Sequence, residues 1–398
     1  MHEAILKYIL GYDDLPLWRL GAHVLHVRAI VVSVICLCIS GCISPHGNEA
    51  AALLADIAAA DGPSRLNAIT SEPARSLIGY RGSTAGDAIA DLYAPTEQPW
   101  GAVVLIPGLT QYGKDDPRLV LFARSLARGR FLVLVPEIAN TRLLKVTAAD
   151  SAIIADAIEE LAKRFAPGAD ASVGLVAISF GAGPALLAAG ETPAGRRVRF
   201  AVTIGAYYDI SAAIAFATTG AYQTPDGSWI SVEPNAYGKF VFLRGNADRV
   251  RDPQDRTLLI AIADRRLANP ASSIADLVGR LGPEGRAIYD LIDNRDPRLV
   301  PKLLAQLPGA VQQELRTLDL QGRELPWLRG PVFLVHGKDD TVIPAGESMK
   351  LAGALGPRAE LYLVEQFAHV DAGIAGLGDN LRLWRVVIRV LEERDRPI

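Results

Sequence analysis

The sequence predicts an α/β fold: a mostly parallel central sheet, helices on both faces, and a largely helical cap or lid inserted into it. Three observations carry this reading. From about residue 76 onward, short runs of strand character alternate with amphipathic stretches. Several of those runs are continuously apolar, as strands buried on both faces are. Residues 212–325 then break the alternation.

Taken in order, the predicted strands are residues 88–93, 101–106, 131–135, 172–178, 200–204, 332–336 and 360–364. The first body helix starts at Asp116, an N-cap residue followed by Pro117 at the first helical position. Leu119, Phe122, Ala123 and Leu126 recur on one face, and Gly129 closes it. Residues 147–165 form a second helix, with Lys163 and Arg164 near its C-terminus matching the macrodipole. Residues 380–393 form a third. The interruption reads as a polar hairpin-like stretch, then amphipathic helices punctuated by Pro253, Pro270, Gly282, Pro283, Pro297 and Pro308. An insertion of this kind between late strands covers a site. The predicted folded core is therefore 76–211 together with 326–398, with 212–325 as the insertion.

Composition narrows the function. Of 398 residues, 50% are hydrophobic and 21% charged, which excludes wholesale disorder. Lysine and arginine number 41 against 44 acidic residues, a net charge of −3, so there is no basic footprint for nucleic acid. The cysteines are Cys36, Cys38 and Cys42 only. Thiolate metal sites and disulfides are thereby excluded from the body. Of the six histidines, His2, His23, His26 and His46 lie near the N-terminus, leaving His336 and His369 in the body. No metal and no cofactor is expected.

The N-terminus reads as an address. Arg28 precedes the apolar run 29–39, which is too short to span a bilayer comfortably, since that takes about 20 residues. Ile39-Ser40-Gly41-Cys42 resembles a bacterial lipobox, in which Cys42 would be lipidated and become the first mature residue. This implies a signal peptide over 1–41, with a start expected near Val24 or Val27. It also implies a tether over 42–75, with a short helix at 49–60, and an exported protein held to the bacterial envelope membrane by its N-terminal lipid.

The chemistry centres on the segment 173–189. A strand runs into Ser179 and a small-residue helix runs out, so Ala177-Ile-Ser179-Phe-Gly181 has the G-x-S-x-G nucleophile-elbow pattern with alanine first. The tight turn pushes the hydroxyl out of the sheet, and the helix start offers N–H groups, Phe180 among them, to a developing oxyanion. A nucleophilic serine needs a base. His369 lies in the loop after the last predicted strand, whereas His336 ends a strand and is expected to pack or cap there. Gly245-Asn-Ala-Asp248, after the run 240–243, also reads as a strand followed by an acid, but inside the insertion, and is ranked structural.

His336-Gly-Lys-Asp-Asp-Thr-Val-Ile-Pro344 resembles the H-G-x-x-D-x-x-x-P turn of α/β-hydrolases, which aligns Asp340 as the orienting acid with Asp339 beside it. Val103-Val-Leu-Ile-Pro-Gly-Leu109 resembles that superfamily's H-G-x turn with Pro107 in place of histidine, which makes Leu109 the second oxyanion donor and Thr110 the alternative. The resemblance covers about 76–211 and 326–395, in the order Ser…Asp…His. It implies a Ser179–His369–Asp340 triad acting on small-molecule carboxylic esters. A peptidase or thioesterase would use the same triad. A tethered binding protein on this fold and an envelope protein that docks through 212–325 are the readings from other classes.

Overall fold

The computed structural model describes residues 45–83, 86–166, 171–224, 227–233, 236–365 and 377–396. The chain divides into Met1–Gly47 and Asn48–Ile398, and the architecture below is that of the larger unit. Helices α1 (Gly47–Ala59) and α2 (Arg65–Ile69) come first. Then follow β1 (Ala74–Arg81), β2 (Asp87–Ala94), β3 (Gly101–Ile106), α3 (Pro117–Arg128), β4 (Phe131–Pro136), α4 (Ala139–Arg142), α5 (Asp150–Phe165), β5 (Val173–Ile178), α6 (Ala182–Glu191) and β6 (Val198–Ile204). The insertion contains α7 (Ile210–Thr219), β7 (Ala221–Gln223), β8 (Trp229–Ser231), α8 (Ala236–Asn246), α9 (Pro253–Ala268), α10 (Ala275–Val278), α11 (Pro283–Asp293), α12 (Val300–Gln306) and α13 (Gly309–Leu318). The core resumes with β9 (Val332–Gly337), α14 (Ala345–Leu355), β10 (Ala359–Val364) and α15 (Leu377–Asp395).

Eight strands make one sheet in the order β1-β2-β4-β3-β5-β6-β9-β10, in which β2 runs against both its neighbours and every other pairing is parallel. This is the architecture of an α/β-hydrolase fold. Every residue of β3, β5 and β9 is buried, which is why those strands read as unbroken apolar runs. Ile154, Ile158 and Leu161 of α5, Leu186 of α6 and Leu351 of α14 fill one face of the sheet. Leu53 of α1, Leu119 and Leu126 of α3 and Leu391 of α15 fill the other.

Four differences from the sequence reading have physical causes. First, β1 was not expected. It is the edge strand and mostly exposed, with Tyr80 its one buried residue, so it carries no buried run. Second, α3 ends as expected near Gly129, but the left-handed turn falls one residue later, at Arg130 with φ 64°. Third, the run expected as a strand from residue 240 is helical α8. Its Leu243 joins Leu258, Leu259 and Ile262 of α9 in a core that belongs to the insertion itself. Asp248 there pairs with Lys145, in keeping with a structural role.

The fourth difference is the tether. Residues 48–69 belong to the folded unit, because α1 has an apolar face: Ala50 is 0% and Leu53 is 1% exposed. Beside them the buried carboxylate of Asp56 accepts from Ser125 Oγ at 2.7 Å and Arg128 Nη1 at 3.2 Å, both on α3. An alanine-rich segment with small polar residues resembles a linker until its i, i+3, i+7 positions find a surface. Leu53→Ala is therefore expected to cost about 2–4 kcal/mol in urea unfolding. A true tether would show no change.

Candidate active site

The site is built at the C-terminal ends of the parallel strands, where open α/β sheets place ligands. At the end of β5 the backbone reverses into α6 through Ser179, whose φ is 54°. A left-handed serine is strained. The strain is held by close packing on both sides. A Cβ at Gly181 would fall inside the van der Waals shell of the Pro107 carbonyl oxygen, so only glycine lets the turn approach the β3 loop. A Cβ at Gly108 would sit 3.3 Å from Ser179 Cβ. Ala177, which stands where the pattern has its first glycine, is buried at 1% exposure.

The β3 loop thus lies directly against the turn. Leu109 lines the same cavity as Ser179 and Phe180. Thr110 serves the loop instead. Its hydroxyl donates to Asp116 Oδ2 at 2.9 Å, tying the loop to the N-cap of α3. Phe180 stands at the start of a helical turn, where N–H groups lack intrahelical acceptors.

Just beyond the loop, Lys114 Nζ reaches the buried Asp91 of β2 at 3.1 Å, and Asp115 pairs with Arg75, Lys114 and Arg142. Burial alone would raise the Asp115 carboxyl, but hydrogen bonds from Arg142, Lys114 and Arg75 bring it down to about 2. These charges fix the loop's outer end.

Asp340 follows β9. Its Oδ1 accepts from the N–H groups of Val342 at 2.7 Å and Ile343 at 3.0 Å, and its Oδ2 lies 3.4 Å from His336 Nε2. The carboxylate is buried, whereas that of neighbouring Asp339 is exposed. Gly205, with φ 70° at the end of β6, leaves room beside it: a Cβ there would be 3.5 Å from Asp340 Oδ2.

His336 is fully buried and engaged on both nitrogens. Nε2 donates to the Ile343 carbonyl at 2.8 Å, which fixes a proton there, and Nδ1 lies 2.7 Å from Ser348 Oγ. It buttresses the Asp340 turn, as a strand-end histidine was expected to do. His369 lies outside the described residues, which stop at Glu365 and resume at Leu377; so does Cys42.

Ser179, Phe180 and Leu109 open on a cavity of about 340 Å³ between the sheet and the insertion. Thr341 and Val342, next to Asp340, line it too. Its wall is predominantly aliphatic, supplied by α7, α8, α11 and α13. Phe180 meets Phe242 of α8 with ring centroids 6.5 Å apart, so the cap rests on the serine turn itself. The charged residues of this wall, Lys239, Arg249 and Glu314, were missed in the sequence. Reading the run from residue 240 as a strand hid the helical face on which Lys239 lies.

No known family's sequence profile matches the chain, and none of the curated proteins matches it. Solved structures resemble it in outline. One is an acylaminoacyl peptidase bound to a chloromethyl ketone, at 11% identity and TM-score 0.47, covering 82% of this chain. This chain spans only 42% of that protein's length. Another is the esterase domain of a Rhodothermus marinus protein, at 14% identity and TM-score 0.41, covering 81% of this chain and 98% of the other. A third is an α/β-hydrolase from Penicillium sp. sh18, at 13% identity and TM-score 0.46, covering 80% and 98%. At these identities the chemistry has to be argued from this chain's own residues.

The close packing at residue 181 can be tested directly. Gly181→Ala should force the serine turn and the β3 loop apart and lower kcat on any substrate of this site by about 100-fold or more, while the fold survives by circular dichroism. Unchanged kcat would show that the close approach is not needed.

Proposed function

We propose that this chain is a serine hydrolase of carboxylic esters. The observation that carries the reading is Ser179: a non-glycine residue in a left-handed turn at a strand end, pressed against the β3 loop and opening on an apolar cavity. Structures keep such strain where it serves a site.

In this reading Ser179 Oγ attacks the ester carbonyl while His369 takes its proton. The N–H groups of Phe180 and Leu109 receive the negative charge on the carbonyl oxygen. His369 returns the proton to the leaving alkoxide, which departs as alcohol. Water, deprotonated by the same imidazole, then attacks the acyl-enzyme. The carboxylic acid leaves and Ser179 regains its proton. Asp340, held by two backbone N–H groups, orients His369 and stabilises its imidazolium. The predominantly aliphatic cavity favours an acyl chain over a peptide, whose amides would need buried partners. No cofactor takes part.

At the N-terminus the proposal is that residues 1–41 are a signal, that Cys42 carries the lipid, and that the enzyme works at the envelope membrane. The string Ile39-Ser40-Gly41-Cys42 supports this. Metabolic labelling with a radioactive fatty acid should tag the protein, and Cys42→Ala should abolish the tag. Label that persists in the variant would remove the anchor.

The catalytic proposal is tested with p-nitrophenyl esters from acetate to palmitate. The protein should hydrolyse them with an optimum set by the cavity, and Ser179→Ala should lower kcat/KM by about 10,000-fold or more. Hydrolysis that survives the substitution would place the chemistry elsewhere. No hydrolysis by either protein would favour the tethered binding protein.

A further inference from the structure

The cap contributes five polar side chains to the wall of the Ser179 cavity: Thr218, Lys239, Asn246, Arg249 and Glu314. Four of them are engaged inside the fold. The Thr218 hydroxyl donates to the Ile214 carbonyl of its own helix at 3.0 Å. Asn246 donates to the carbonyls of Leu144 and Phe242 at 3.3 and 2.9 Å. Arg249 donates to the Val146 carbonyl at 2.6 Å and to Asn246 Oδ1 at 2.9 Å. Glu314 accepts from the Ala148 N–H at 2.8 Å. Asn246, Arg249 and Glu314 thus seat the cap on the segment after β4.

Lys239 is different. It is 5% exposed, and its ammonium donates to one acceptor, the Thr218 carbonyl, at a long 3.3 Å. That carbonyl, at the C-terminal end of α7, is also reached by Arg295 Nη1 at 3.4 Å, so the helix end does not depend on the lysine. An ammonium has three donors. Among the described residues no carboxylate pairs with it, although a buried cation without an acid is costly. The charged groups whose fields reach it are Arg295, Asp293 and Glu233.

We propose that Lys239 determines the specificity of this pocket by receiving a carboxylate at the far end of the substrate's acyl chain, so that the preferred substrates are half-esters of dicarboxylic acids. This rests on Ser179 being an ester-cleaving nucleophile. An aliphatic wall lined by the serine turn at one place and by a buried lysine at another fits a molecule that is an ester, then methylenes, then an anion. Neutral fatty-acyl esters would leave the lysine charge uncompensated.

The ammonium loses its proton more easily than an ordinary lysine. Burial is the main cause and Arg295 adds to it, lowering its pKa to about 8. As pH rises through that value the site loses its positive charge and its preference. The preference is therefore full between about pH 6 and 7, falls through about pH 8 and is lost above about pH 9, with the substrate carboxylate ionised across that range.

The test compares monomethyl suberate with methyl octanoate, equal in chain length and different only at the far end. The full chain should favour the half-ester in kcat/KM. The ratio of the two, which cancels the common titration of the catalytic base, should fall as pH rises through about 8. In Lys239→Met the ratio should drop by at least about tenfold at pH 7. Binding of the two esters to Ser179→Ala, which cannot turn them over, separates this inference from the catalytic one. Tighter binding of the half-ester that disappears on adding Lys239→Met supports the inference even if the wild-type protein hydrolyses neither. A wild-type ratio that is near unity, or that does not change across this pH range, overturns it. That comparison needs no variant to fold. Equal binding of both esters by Ser179→Ala overturns it as well.

Discussion

The site depends on one close approach. The turn at Ser179 comes so near the β3 loop that residue 181 can carry no side chain, because the Pro107 carbonyl oxygen occupies its place. This contact stabilises a left-handed serine that would relax if exposed. It also brings Leu109 and Phe180 to the same cavity as the serine side chain. The rest of the core makes the approach possible. β3 and β5 are hydrogen-bonded neighbours, so their C-terminal loops are brought out side by side.

Around that contact, polar groups are used as rigid supports. Asp340 is fixed by two N–H donors from its own turn, and that turn is fixed in turn by His336, whose ring bridges the Ile343 carbonyl and Ser348. Asp91, Lys114, Asp115, Arg75 and Arg142 do the same for the far end of the β3 loop. Each support is local, while above them α8, α9, α10 and α11 of the cap share an apolar core and α7 of the cap joins the core of the sheet through Ile210 and Ala213.

The parts of this arrangement that are legible in the sequence are those set by strong local rules. Buried parallel strands are apolar throughout, so β3, β5 and β9 can be read directly. A strand–serine–helix turn needs small residues at fixed spacing, so the position of Ser179 is readable, as is the acid turn after β9. What depends on tertiary burial is not. The edge strand β1 turns only Ile78 and Tyr80 inward, too few to mark it as a buried run. The α1 segment resembles a tether because alanine is equally at home in a linker and on a helix packed against α3. Lys239 escapes notice because a run such as Tyr-Gly-Lys-Phe-Val-Phe-Leu has strand-like composition, and only its packing against α9 makes it helical. The two histidines of the core divide by location: His336 is consumed by the acid turn, and His369 follows the last strand, outside the described residues.

The central claim is that the hydroxyl of Ser179 is an activated nucleophile. Treatment of the purified protein with a fluorophosphonate, followed by peptide mass spectrometry, tests it without knowing the substrate. The expected result is a single adduct on Ser179, formed at neutral pH and absent from heat-unfolded protein. An unlabelled Ser179 in folded protein, or label spread over other serines and tyrosines, would contradict it.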